Sequence, residues 1–175
     1  NLNWETPEIV QAVNTENFPH QEKLPEIYVP AMQKKGTVFD FGRIIVGRPI
    51  IKFKGIGRLK IKAGESIEEA ENDNPLFFEQ PVIECDFDKA SIGFKEVLAF
   101  RYLAIETTSE LEVLSVGVSA SFYPVQYLGA FASSERLLTD IWLRSAYTLR
   151  LCMRELLVDG LTRARLPWVG AVYLA

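Results

Sequence analysis

Apolar and polar residues change period twice along this chain, and each change marks a change of structure. Residues 1–35 show little periodicity and carry Pro7, Pro19, Pro25 and Pro30. Proline stops helices and lacks the donor a central strand needs, so this stretch reads as an extended lead-in or linker with an edge strand at most. From Gly36 the period becomes two. Thr37–Phe41 and Arg48–Lys54 read as strands, with Pro49 acceptable at a strand's start. Gly55-Ile56-Gly57 supplies the positive φ of a tight reversal, which makes Arg58–Ala63 the returning arm of a hairpin. In that arm Leu59, Ile61 and Ala63 alternate with Arg58, Lys60 and Lys62, the pattern of a strand with one wet face. The acidic run Glu65–Asn74 reads as a solvated loop.

Pro81–Asp86, Glu96–Glu106 and Leu111–Tyr123 are further strand candidates. In the last, Leu114, Val116, Val118, Ala120 and Phe122 share one face, while Ser115, Gly117, Ser119 and Ser121 share the other. The small outer residues predict a second layer packed close by. Successive strands separated by turn signals, with no helical period between them, predict a mainly β fold: an antiparallel, jelly-roll-like sandwich. At Ser133 the period lengthens. Leu138, Ile141, Trp142, Ser145, Leu149, Cys152, Met153 and Leu156 recur at steps of three and four, one stripe of a long helix. Ser133 or Ser134 is the expected cap, Glu135 suits the positive end of the helix, and Asp159-Gly160 is the expected stop. The expected divisions are a lead-in over 1–35, a sandwich over 36–128 and the start of a second domain over 129–175. With the sandwich alone to pack on, the helix suggests a chain cut inside that second domain.

Length and charge narrow the function classes. The chain has 175 residues, 48% of them hydrophobic and 24% charged, which excludes a wholly disordered protein. A net charge of −4 argues against a general nucleic-acid binder. Residues 136–165 hold six arginines against Asp140, Glu155 and Asp159, so positive charge gathers there. No apolar run approaches the roughly 20 residues of a membrane span. The opening NLNWETPEIV has no basic start, so no signal peptide is expected and Asn1 suggests a processed or excised chain. Cys85 and Cys152 read as two buried free thiols, with one disulfide as the alternative. No cofactor is expected.

Several short motifs carry candidate chemistry. Asp40-Phe41-Gly42 copies a kinase metal-binding tripeptide without any of its companion motifs. Gly55-Ile56-Gly57 lacks the third glycine of a dinucleotide site. His20 is the sole histidine, which argues against a Ser-His-Asp triad and against a His-rich metal site. Asp86-Phe87-Asp88 offers two acids to calcium, more often a turn than a site. The segment Asp159–Ala171, DGLTRARLPWVGA, is the most informative. Asp159 and Arg163 can hydrogen-bond a sugar while Trp168 covers its C–H face. On spacing alone the favoured reading is a structural turn, with Trp168 in a core and Arg163 paired to Asp159.

Several ordered pieces resemble the bacterial α-L-rhamnosidase family of glycoside hydrolases. VFDFGRIIVGRPIIKFKG (Val38–Gly55), IKAGE (Ile61–Glu65) and FRYLAIE (Phe100–Glu106) resemble its β-sandwich. LGAFASSERLLTDIW, YTLRLCM and DGLTRARLPWVGA resemble the start of its catalytic (α/α) six-hairpin barrel and its acidic active-site loop. The resemblance implies an anomer-inverting glycosidase acting on terminal α-L-rhamnosides, in which one carboxylic acid protonates the leaving oxygen and a second carboxylate activates water. The family's loop reads Asp-x-x-x-Arg-(Asp/Glu)-Arg-x-x-Trp-x-Gly-Asp. Asp159 then matches the acid that contacts sugar hydroxyls, Arg163 and Arg165 the arginines, Trp168 the aromatic and Gly170 the glycine. Two positions depart: Ala164 replaces the expected proton donor and Ala171 the last carboxylate. The base would come from a later part of the barrel.

The implied partners are a rhamnose-containing glycan and the rest of the barrel, and the expected activity of this chain alone is none. Two rival readings stand beside this one. A carbohydrate-binding module would use exposed aromatics such as Trp4, Tyr102, Tyr123 and Tyr127, most of them expected in a core or interface. A purely structural domain would leave an apolar patch around Trp142, Leu149 and Met153.

Overall fold

A computed structural model describes residues 23–55, 57–72, 83–87, 91–95, 97–108, 110–162, 166, 167 and 170. Among the described residues eight strands and two helices follow in the order β1 (Glu26–Pro30), β2 (Gln33–Lys35), β3 (Val38–Gly55), β4 (Gly57–Gly64), α1 (Ile67–Glu71), β5 (Ile83–Phe87), β6 (Ser91–Gly93), β7 (Leu98–Thr107), β8 (Leu111–Ser121) and α2 (Arg136–Cys152). Every pairing is antiparallel. Hydrogen bonds link the strands in the path β1-β8-β3-β7-β4-β5, with β2 and β6 added alongside β3. The expected lead-in, read as holding an edge strand at most, holds two short strands: among the described strands β1 pairs with β8 alone and β2 with β3. Residues 1–22, with Trp4 and His20, lie outside the described residues.

The two short strands expected at residues 37–41 and 48–54 are one strand of 18 residues. Its first half, up to Gly47, pairs with β2 and β7; its second half pairs with β8 and β6. Gly47 is the pivot, opposite Leu98 on one side and Ala120 on the other. A Cβ there would run into the backbone oxygen of Ser119 and the Val118 side chain, so the crossing admits only glycine without displacement. Because β3 serves both halves, the path folds over on itself as a sandwich. Phe41 and Ile45 from the first half join Ile51 and Phe53 from the second, with Leu59, Ile61, Phe100, Leu103, Val116 and Val118, in a single buried cluster. Phe41 meets Phe100 edge-on, with centroids 5.4 Å apart. Such a pair contributes about 0.5–1.5 kcal/mol beyond its burial.

Four local expectations are corrected. First, β3 and β4 are not a hairpin. Gly55 takes the positive φ (104°), but β4 pairs with β7 and β5, so the turn is a corner that carries the chain to another strand neighbour. Second, Pro49 lies inside β3 and not at a strand's start. Its carbonyl accepts from the Phe94 N–H at 3.2 Å. Its nitrogen therefore faces the same edge, at the break where β7 pairing ends (Gly47–Leu98) and β6 begins (Ile50–Gly93), and no ladder donor is missed there.

Third, the loop expected at 65–74 contains α1. Ser66 caps it by accepting from the Glu69 N–H at 3.1 Å, and Glu69 reaches back to the Glu65 N–H at 2.8 Å. The Ser-x-x-Glu spacing is the sequence signal for such a helix start. Ala70 packs on Val38 and Ala104, which closes over the supposedly wet face of β4. Lys62 is 6% exposed, its Nζ donating to the Glu71 carbonyl at 3.2 Å and pairing with Glu106 at 2.8 Å. Fourth, β8 does not alternate cleanly. Lys52 stands opposite Ser115 but Phe53 opposite Val113, so Leu114 is the extra residue of a bulge. The bulge reverses the parity: Val113 packs on the core and Leu114 is 58% exposed. At Gly117 and Ser119 the small-residue face meets side chains of the neighbouring strand β1 and not the expected second layer. Tyr28 lies against Gly117, and the Ser119 hydroxyl donates to Glu26 at 2.6 Å.

Candidate functional site

The informative segment begins at Asp159, and its position follows from how α2 docks. The cap of α2 is Glu135, whose carboxylate accepts from the Leu137 N–H at 3.3 Å; Ser133 acts one step earlier, accepting from the Glu135 N–H. Neither Ser133 nor Ser134 is the cap. The helix spans 17 residues and ends at Cys152, well before Asp159-Gly160. A short bridge between Met153 and Leu157 follows.

The predicted stripe is not the docking face. Leu138 (48% exposed), Ile141 (50%) and Leu156 (63%) point away from the sandwich. The face that docks carries Tyr147, Arg150, Leu151 and Arg154. Leu151 is buried with Val46 and Ala99, flanked by Ile44, Val97, Phe122 and Tyr147. The Tyr147 hydroxyl donates to the Ile44 carbonyl at 2.6 Å, and burial pushes its pKa up, so it stays protonated. Arg150 stacks over Phe122, and the Arg43 guanidinium over Tyr147. The sequence does hold a signal for this second face. Ile44-Ile45-Val46 and Val97-Leu98-Ala99-Phe100 are unbroken apolar runs, which mark strands covered on both sides.

Asp159 is exposed, and its N–H donates to the Leu166 carbonyl at 3.1 Å, which closes the loop on itself. Beside it a cleft of about 430 Å³ is lined by Arg144, Ser145, Thr148, Leu149, Cys152 and Asp159, among others. Hydroxyl, guanidinium and carboxylate groups over an aliphatic floor can hold a small polar molecule with an apolar face. Cys152 is a buried free thiol. Burial first, and the nearby Asp159 charge second, raise its pKa, so it is a poor nucleophile. Of the residues read as site positions, Asp159 and Gly170 are described, and both are exposed. Arg163, Ala164, Arg165, Trp168 and Ala171 lie outside the described residues.

The other motifs resolve into structure. Asp40 of the Asp-Phe-Gly tripeptide receives a two-pronged bond from Arg101, at 2.9 and 3.0 Å, and accepts from the Gly42 N–H. Its pKa falls below the ordinary 3.8, chiefly through Arg101. Phe41 fills the core. Among the described residues no group of three or more His, Cys, Asp or Glu is placed to hold a metal ion. Asp88, half of the calcium candidate, lies outside them. No described helix is long and apolar enough to cross a membrane. Tyr102 is half-buried on Val38, Ala70 and Ala104, whereas Tyr123 (41%) and Tyr127 (53%) are exposed and so lie outside the core of this chain.

No protein-family model and no curated protein matches this chain. Solved structures do. A rhamnosidase from Klebsiella oxytoca with rhamnose bound superposes with a TM-score of 0.65 at 23% identity, covering 89% of this chain and 33% of that one. A GH78 family rhamnosidase of Bacillus sp. GL1 gives a TM-score of 0.67 at 22% identity, covering 77% of this chain and 15% of that one. This chain therefore spans a third or less of the length of either. At these identities the likeness is one of fold: an antiparallel sandwich followed by a helix, of the kind found within rhamnosidases.

Proposed function

We propose that this chain is a piece of an α-L-rhamnosidase-like, inverting glycoside hydrolase acting on terminal α-L-rhamnosides. In this reading residues 36–128 are its sandwich and 129–175 the first part of its (α/α) barrel. The observation that carries it is the fold likeness over 89% of the chain to a rhamnosidase. The helix α2 supports it. With Tyr147 and Leu151 against the sandwich and Leu138 and Ile141 uncovered, α2 has two apolar faces, as a helix packed between a sandwich and further helices needs. The natural partners are then a rhamnose-containing glycan and the remainder of the barrel.

Glycoside cleavage with inversion needs an acid at the leaving oxygen and a carboxylate that activates water on the opposite face. In this reading Asp159, Arg163, Arg165 and Trp168 contact the sugar, Ala164 occupies the position of the proton donor and Ala171 that of the loop's last carboxylate, and the water-activating base comes from a later part of the barrel. A methyl group can neither donate a proton nor bind a hydroxyl. The chain is therefore a binding surface without its acid. Incubation with an aryl α-L-rhamnoside is expected to release no phenol above blank, and clear turnover free of contaminating enzyme overturns the inactivity. The gene sequence beyond Ala175 tests the placement: paired helices with a late glutamate support it, and a different fold there sinks it.

Exposed Tyr123 and Tyr127 favour a second reading, a sandwich that binds sugar without cleaving it. Calorimetric titration with rhamnose-containing oligosaccharides separates the two, since silence across a panel removes the binding module.

A further inference from the structure

The polypeptide between α2 and Asp159 is tied to the sandwich by the Arg154 side chain. The Arg154 guanidinium donates from one nitrogen to the Ser121 carbonyl and from the other to the Ser121 hydroxyl, each at 2.7 Å. Ser121 is 5% exposed. Charge-assisted bonds gain strength where water is kept out. The acceptor is rigid as well: Ser121 closes β8 and stands opposite Glu26 of β1 in the ladder.

From Arg154 the order runs outward to Asp159. The Arg154 N–H donates to the Leu156 carbonyl, the Val158 N–H to the Cys152 carbonyl, and the Asp159 N–H to the Leu166 carbonyl, at 3.2, 3.1 and 3.1 Å. In the turn Glu155 and Leu156 are exposed, while Met153, Leu157 and Val158 are partly covered. Arg154 supplies its hydrogen-bonded anchor on the sandwich side, where the planar fork offers two N–H groups in fixed geometry to one carbonyl and one hydroxyl; a lysine ammonium lacks that fixed array.

We propose that Arg154 is a positioning residue through which the sandwich holds the turn that presents Asp159. Its biological meaning rests on the reading of Asp159 as a sugar contact; its geometry does not. The sandwich then forms part of the site's scaffold, and its edge at Ser121 sets where the Asp159 loop begins.

Amide hydrogen exchange of the full 175-residue chain tests this, with Arg154→Gln, Arg154→Lys and Ser121→Ala as variants. In Arg154→Gln the Val158 and Asp159 amides are expected to exchange about tenfold faster or more, while core amides such as Val118 and Ile51 keep their rates. Arg154→Lys, which retains the charge without the fork, is expected to fall between. Ser121→Ala removes only the hydroxyl acceptor, so it gives a smaller change in the same two amides. It also serves as the test if Arg154→Gln does not fold. Unchanged Val158 and Asp159 amides overturn the proposal, and so does a uniform rise across core and turn. Since exchange is read without sugar, a failed rhamnoside reading and a failed anchor give different results.

Discussion

Replacing Leu114 by lysine separates two descriptions of β8 by several kcal/mol. Simple alternation puts Leu114 on the core face with Val116 and Val118. A lysine there is an unpaired buried charge and costs several kcal/mol, enough to abolish the folded state of many domains. The bulge instead leaves Leu114 58% exposed. Full burial of a leucine is worth about 1.5–3 kcal/mol, so the part still covered is worth at most about 1 kcal/mol. A lysine can keep some of that contact with its stem and place its ammonium in water. The comparison is Val118→Ala, at a side chain with no exposure. That change removes two methyl groups and leaves a cavity, which costs about 1–3 kcal/mol. Urea unfolding followed by far-UV circular dichroism reads both. Leu114→Lys is expected to lower stability by about 1 kcal/mol or less with an unchanged m-value, and Val118→Ala to cost at least as much. If Leu114→Lys loses about 3 kcal/mol or fails to show a folded baseline, Leu114 is a core residue and the bulge is wrong.

Other consequences can be checked on the same material. Asp40 is held below its ordinary 3.8 by Arg101, and Glu26 below 4.5 by the Ser119 hydroxyl and Arg48. A lowered carboxylate pKa stabilises the fold fully above the unfolded value and ceases to do so as pH falls through the folded one. Stability is therefore expected to drop on acidification below about pH 4.5 and further below 3.8. Asp40→Asn is expected to flatten the lower part of that profile, and a profile of unchanged slope refutes the role of the Asp40–Arg101 pair. On the uncovered face of α2, the double change Leu138→Glu and Ile141→Glu is expected to change the unfolding free energy by about 0.5 kcal/mol or less in urea unfolding. A large loss of stability would show that this face packs on the sandwich after all.

Much of the fold is legible because its cause is local. Alternation in the first part of β4 and most of β8 reports a strand with one buried face, and the shift to steps of three and four at Ser133 reports a helix, since each side chain's direction follows from its own backbone geometry. The misread places are those where a distant segment sets the outcome. Whether Gly55-Ile56-Gly57 makes a hairpin or a corner depends on β7, which takes the place beside β4. Pro49 sits inside β3 because β7 and β6 leave a gap opposite it. The face of α2 that docks is chosen by Ile44, Val46 and Ala99, and the larger stripe of leucines is left outward.

The same division runs through the candidate site. Asp159–Ala171 stands out in the sequence because a carboxylate, arginines and a tryptophan close together can serve a sugar, and beside the α-L-rhamnosidase loop it resembles, Ala164 and Ala171 put methyl groups where that pattern has carboxylates. Those are properties of side chains one at a time. Arg154 and Ser121, 33 residues apart, carry no such mark. Their partnership arises from the sheet edge and the helix end arriving at one point, so only the tertiary structure decided it.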